Sequence, residues 1–139
     1  MGNVLEVLCK YGFHDTMIHS IDIKENELVL HFGQGLFFLD ENRNETVLSK
    51  PISLHLHLDL PPYVNSVEQV IEIQIYGKRI KSIDYERLKK IVSNMPFSLH
   101  MVYFSPFCNT LLFVGGVDRK ECCNIIVENV QSISIVEKC

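Results

Sequence analysis

Between Pro51 and the Pro61-Pro62 pair the chain alternates without a break. Ile52, Leu54, Leu56, Leu58 and Leu60 fall on one parity; Ser53, His55, His57 and Asp59 fall on the other. Side chains of a β-strand point to its two faces in turn, so this stretch reads as a strand with one apolar and one polar face. The prolines mark where its ladder donors end. Such a strand needs a second layer against its apolar side, and that need restricts the chain to layered, β-rich architectures.

Other segments fit beside it. Residues 13–32 read as a β-hairpin: Ile21 and Ile23 share one face, Lys24-Glu25-Asn26-Glu27 is a polar turn, and Leu28, Leu30 and Phe32 share a face of the returning strand. Ile18 falls on the opposite parity from Ile21 and Ile23, which predicts either a bulge near His19-Ser20 or a strand wet on neither face. Further strands are expected at 36–39, 67–76 and 97–104. A short one at 111–114 is apolar on both faces and ends at Gly115-Gly116, and 123–128 with 132–136 form a last pair. Residues 40–50 read as an exposed loop or a weak continuation of the hairpin.

Two stretches have helical spacing instead. Val4, Leu5, Val7, Leu8 and Tyr11 predict a short N-terminal helix over 3–10, ended by Gly12. Asp84 caps a second helix, 84–94, whose buried stripe is Leu88, Ile91, Val92 and Met95 and whose end is set by Asn94 and Pro96. The expected fold is α+β and mainly antiparallel β, because most connections are too short for parallel crossovers. In finer detail it is a sandwich or strongly bent sheet of about nine short strands, of the usual strand length.

The totals narrow the function classes. At 139 residues, 47% apolar and 22% charged, residues 1–139 are expected to form a single domain with a real core. The net charge of -4 and pI near 5.8 speak against a nucleic-acid surface and suit a basic protein partner. Lys78-Arg79-Ile80-Lys81 with Arg87, Lys89 and Lys90 reads as a polar turn and a solvated helix face. The five cysteines, Cys9, Cys108, Cys122, Cys123 and Cys139, are odd in number and lack Cys-x-x-Cys spacing, which fits a reduced, cytoplasmic chain. Cys122 and Cys123 would face opposite ways in a strand. Met1 to Glu6 carry no signal-peptide pattern, Glu6 argues against myristoylation at Gly2, and no apolar run is long enough for a membrane.

Two constellations bear chemistry. His55, His57 and Asp59 share a strand face, where imidazole and carboxylate groups can bind zinc or another divalent metal; His31 and His100 are candidate further ligands. A solvated sheet face has the same pattern, and no cofactor is otherwise implied. His14-Asp15 can act as a binding pair or as a structural turn. Nucleophilic catalysis lacks a signature: there is no Gly-x-Ser-x-Gly elbow, and Cys108 has no evident activator.

Phe13-His14-Asp15-Thr16-x-Ile18-x-x-Ile21, then a polar turn and Leu28-x-Leu30-x-Phe32, resembles the opening of several small bacterial domain families that begin Phe-His-Asp-Ser. Some of these are similar to immunity proteins of polymorphic toxin systems. The resemblance covers about 20 of the 139 residues, with Thr16 in place of the usual Ser. It implies a bacterial, non-enzymatic protein that acts by binding a partner. The expected function is therefore a small protein-binding module, with a metal-binding or metal-dependent hydrolytic domain as the alternative. A further alternative is a small-molecule site lined by Phe37, Tyr76 and Tyr103. Unpaired edge strands are also compatible with a homodimer.

Overall fold

The computed structural model describes residues 3–118 and 121–137. Gly2 and Cys139, on which the lipidation and one of the cysteine readings fall, lie outside the described residues. The architecture is α+β and β-rich. The first half runs α1 (Val4–Lys10), β1 (Tyr11–Gly12), β2 (Thr16–Ile18), β3 (Ser20–Lys24), β4 (Glu27–Phe32), β5 (Phe37–Leu39), β6 (Glu45–Leu48) and β7 (Ile52–Leu58). The second half runs β8 (Ile71–Tyr76), β9 (Ile80–Ile83), α2 (Tyr85–Asn94), β10 (Phe97–Ser105), β11 (Thr110–Asp118), β12 (Glu121–Val127) and β13 (Val130–Glu137).

These strands form three sheets, ordered β1-β5-β6, β2-β10-β11-β12-β8-β9 and β13-β7-β4-β3. Every described pairing is antiparallel, as the short connections required. The inner parities of the two larger sheets meet in one buried cluster. Phe32, Leu54 and Leu56 come from the four-stranded sheet, Phe97, Phe113 and Ile125 from the six-stranded sheet, and Leu88 and Val92 from α2.

The described strands number thirteen rather than about nine. Several extra pieces are short edge strands with weak patterns. β6 is exposed throughout and β9 nearly so, so neither carries an apolar parity for sequence reading to find. In the other direction, the expected strand over 67–76 begins only at Ile71, because Val67–Val70 coil into a turn of 3₁₀ helix that buries Val67 and Val70. The alternating segment closes at Leu58, so Asp59 lies past the end of β7.

The parity break at Ile18 has a different cause from the two expected. The chain changes sheets there. β2 pairs with β10 of the six-stranded sheet, whereas β3 pairs with β4 of the four-stranded one. Ile18 and Ile21 are 0% and 2% exposed on opposite parities because each faces the same core from a different sheet. The last two strands likewise do not pair with each other: β12 joins β11 and β8, and β13 joins β7. Asn129, with φ 60, turns the chain between the sheets.

Gly115-Gly116 does not end β11 either. The strand runs through to Asp118, and a Cβ on Gly115 would collide with the Ser98 carbonyl and the Phe97 ring. The helices lie where expected, but Met95 falls just past the end of α2 and is 44% exposed, so it is not part of the buried stripe. Asn3 Oδ1 accepts the Leu5 N–H and Asp84 Oδ1 accepts the Arg87 N–H, each satisfying a first-turn donor. α1 stops at Tyr11, whose extended backbone enters β1, rather than through a glycine cap.

Candidate functional site

Each of the two larger sheets has an outward parity, and the two differ in kind. On the four-stranded sheet, register places Glu27 opposite His57, Val29 opposite His55 and His31 opposite Ser53. The carboxylate of Glu27 bridges two imidazoles. Oε1 lies 2.8 Å from His57 Nδ1 and Oε2 lies 3.1 Å from His55 Nδ1. An ionised carboxylate only accepts, so both Nδ1 atoms carry the proton. His57 Nε2 is 3.1 Å from Ser134 Oγ on β13. Alongside, His31 reaches Ser53 Oγ at 2.8 Å through Nδ1 and Asp22 Oδ2 at 3.1 Å through Nε2. Asp22 Oδ1 in turn lies 3.3 Å from Lys89 Nζ on α2. Polar side chains on this face thus find partners within the face or on the adjoining helix.

Ser134, His57 and Glu27 are bonded in the order of a serine-hydrolase triad. A nucleophile also needs preorganised donors for the developing oxyanion and an exposed, strained position. Ser134 instead stands in the middle of a regular strand, and the arrangement reads as cross-strand pairing. The structure brings His55 and His57 together as expected and adds Glu27 between them. Asp59 is exposed beyond the strand, His31 is engaged by Ser53 and Asp22, and His100 belongs to the other sheet. Among the described residues no group of three or more His, Cys, Asp or Glu side chains stands where a metal ion could be held.

The outward parity of the six-stranded sheet has a different character. Register aligns Met17, Ser98, Gly116, Cys122, Tyr76 and Ile80 across all six strands. The next rows are Met101, Val114, Asn124 and Gln74, then Tyr103, Leu112, Ile126 and Glu72. Met101 is 41% exposed and Tyr103 49%, while Leu112, Val114 and Ile126 are half-buried. Along β8 the polar groups satisfy one another. Tyr76 Oη donates to Gln74 Oε1 at 2.6 Å, and Gln74 Nε2 donates to Glu72 Oε1 at 2.9 Å. The centre of the face, over β10 and β11, is apolar. Phe37, named with Tyr76 and Tyr103 as a possible cavity lining, sits instead in the three-stranded sheet.

One end of this face deepens into an open trough of about 820 Å³, walled by Met17, Met95, Ser98, His100, Val114 and Cys122 among others. His100, on the outward parity of Ser98, stands at the trough's rim; the register shift between Leu99 and Met101 leaves it without a partner on β11 and brings Met101 outward as well. His14 packs edge-on against His100 with ring centroids 5.0 Å apart, and its Nδ1 donates to the His100 carbonyl at 3.1 Å. Asp15 Oδ2 lies 3.3 Å from His14 Nε2. The same pair forms a turn. Asp15 takes φ 60, its N–H donates to the Leu99 carbonyl, and Thr16 Oγ1 closes back on the Phe13 carbonyl at 2.6 Å. His14-Asp15 therefore ties β2 to β10 beside the trough, with both side chains more than half exposed.

The four described cysteines are free thiols, with Cys122 exposed in the trough and Cys123 buried on the opposite face, as adjacent strand residues must be. Burial, and then the neighbouring Cys122, pushes the Cys123 thiol up to about 12. Hydrogen bonding to Ser105, and then Thr110, brings the exposed Cys108 thiol below its ordinary value. Tyr85 is raised to about 12 by burial and by the charges of Asp22, Glu86 and Glu68; its buried hydroxyl has no hydrogen-bond partner among the described residues.

Sequence reading missed Glu27 as the bridge because it was assigned to the turn, although its parity with His31 was visible. It also missed the apolar outer face, whose signal was the two-faced apolarity of 111–114. Among the described residues no helix is long and apolar enough to cross a membrane. No protein-family model, no curated protein and no solved structure matches this chain.

Proposed function

We propose that the chain is a non-enzymatic protein-binding module, immunity-like in its mode of action, and that the partner docks on the outward face of the six-stranded sheet. The reading takes the two larger sheets as layers of a sandwich whose inner faces are already used. The carrying observation is the uncovered apolar centre over β10 and β11: Met101, Tyr103, Leu112 and Val114. Contiguous exposed apolar surface of this kind is costly in water and marks interaction sites. The six strands total 38 residues, and at about 3.4 Å per residue and about 4.8 Å between strands they offer a face on the order of 600 Å². That is about three quarters of one side of a standard protein interface, about 800 Å². The opening hairpin's resemblance to immunity-like domains agrees with this reading.

The test is native mass spectrometry of the tagged chain purified from its source, beside the variant Val114→Lys. A second protein at fixed stoichiometry that is lost in the variant, with the melting temperature unchanged, is the expected result. Repeated recovery of the bare chain, or a partner indifferent to Val114→Lys, overturns it.

A second reading, a divalent-cation site, rests on Glu27. By accepting from the Nδ1–H groups of His55 and His57 it leaves Nε2 of each ring as the lone-pair atom, the tautomer that ligates metals, and a cation at His57 would displace Ser134 Oγ from its Nε2. Water or a partner's side chain would complete the coordination. Zinc should then raise the melting temperature of the chain and not of His57→Ala; absence of any zinc-dependent gain removes this reading.

A further inference from the structure

We infer that the partner's docking segment is an extended, acidic peptide that adds to the free edge of β9; this rests on the protein-binding reading above. β9 is the terminal strand of the six-stranded sheet, so one side of its backbone has no neighbouring strand within that sheet. An open edge is a template for an added strand, with side-chain pockets supplying specificity. Such a pocket lies on its inner side. A cleft of about 390 Å³ between α2 and strands β8, β9, β11 and β12 has apolar walls that include Ile75, Ile83, Ile91 and Val117, and it is also lined by Lys81 and Arg87. The cleft shares Met95 and Glu121 with the large trough. It shares Ile75, Lys81 and Glu121 with a hollow of about 400 Å³ at the β8–β9 turn, where Lys78 and Arg79 stand.

The two smaller hollows therefore present four cations, Lys78, Arg79, Lys81 and Arg87, against one carboxylate, Glu121, in a chain whose net charge is -4. None of the four makes an ion pair among the described residues, whereas Lys89, further along the same helix as Arg87, is matched by Asp22 at 3.3 Å. A lysine on an edge strand also guards against unwanted pairing. That role does not account for Arg87, which comes from α2 and lines the same apolar cleft. The combination suits apolar side chains seated in the cleft with carboxylates on Lys81 and Arg87, and it disfavours a basic segment.

The probe is a short synthetic peptide alternating leucine and glutamate, titrated into the full chain labelled with ¹⁵N; its control replaces each glutamate with lysine. Amide shifts at Lys81, Ile83, Arg87 and Ile91 are expected with the acidic peptide alone. Affinity should fall about tenfold in the Lys81→Glu/Arg87→Glu double variant and fall again at high salt. Both side chains are exposed, so the variant should keep the parent melting temperature, and Lys81→Gln/Arg87→Gln serves if it does not. No shift with the acidic peptide, equal binding of the lysine peptide, or wild-type affinity in the variants overturns the inference. A native partner that needs Val114 but ignores the charge reversal sinks this inference alone; absence of any partner sinks the protein-binding reading as well.

Discussion

The outward faces of the two larger sheets follow the same alternation rule and end in opposite states. On the four-stranded sheet the outward parity carries Asp22, Glu27, His31, His55, His57 and Ser134, and adjacent strands supply each with a partner at 2.8 to 3.1 Å. Val29, in their midst, is 1% exposed. On the six-stranded sheet the outward parity over β10 and β11 carries Met101, Tyr103, Leu112 and Val114, where Tyr103 Oη donates to Met101 Sδ at 2.9 Å and the apolar area otherwise makes only lateral contact. The lesson is where each face's free energy remains to be gained. A hydrogen-bonded ladder is complete within the chain, whereas apolar area is completed only by another surface.

The sharpest test of this contrast lies in two neighbouring residues of β11. Phe113→Ala empties a 0% exposed position on the inner face and should cost about 3–5 kcal/mol by urea denaturation. Val114→Lys, one residue on and outward, should change stability by no more than about 0.5 kcal/mol while removing partner binding. Equal destabilisation by both would break the distinction between faces.

A smaller effect is expected on the polar side. Glu27→Gln replaces the charged acceptor shared by two half-buried imidazoles and should cost about 1–3 kcal/mol. An unmoved urea midpoint would mean that this face is merely solvated.

An effect of pH separates the faces by thiol chemistry. The folded chain holds the Cys123 and Tyr85 protons more tightly than the unfolded chain does, at about 12 against ordinary values of 9.0 and 10.0. Above pH 9 the unfolded state therefore loses protons that the folded state keeps. Stability should be full below pH 9 and fall progressively toward pH 12. Cys123→Val should flatten the first part of that decline in urea titrations. Native alkylation at neutral pH should modify the exposed Cys9, Cys108 and Cys122 and leave Cys123 untouched; a labelled Cys123 would contradict its inward placement.

Much of the fold was legible. The hairpin of β3 and β4, the alternation of β7 and the helix capped by Asp84 were strong because each combines an unbroken period with a terminating residue. The sheet switch at His19 was visible only as a parity break at Ile18, since a sequence shows that a face has changed but not which neighbour now covers it. The edge strands β6 and β9 left no pattern, because exposed strands are under no demand to alternate. For the site, His55 and His57 were placed together correctly, and Asp59 followed the parity beyond the point where the strand stops.

By itself, the sequence determined the antiparallel, β-rich class, the two helices and the inward parity of strands such as β4 and β7, because burial imposes local period and capping that can be read residue by residue. Only the tertiary structure decided that Glu27 joins His55 to His57, that Lys81 and Arg87 converge on one cleft, and that, among the described residues, none covers the outward side of β10 and β11. Those facts depend on which strands become neighbours, and strand order arises from contacts between distant segments that local pattern does not encode.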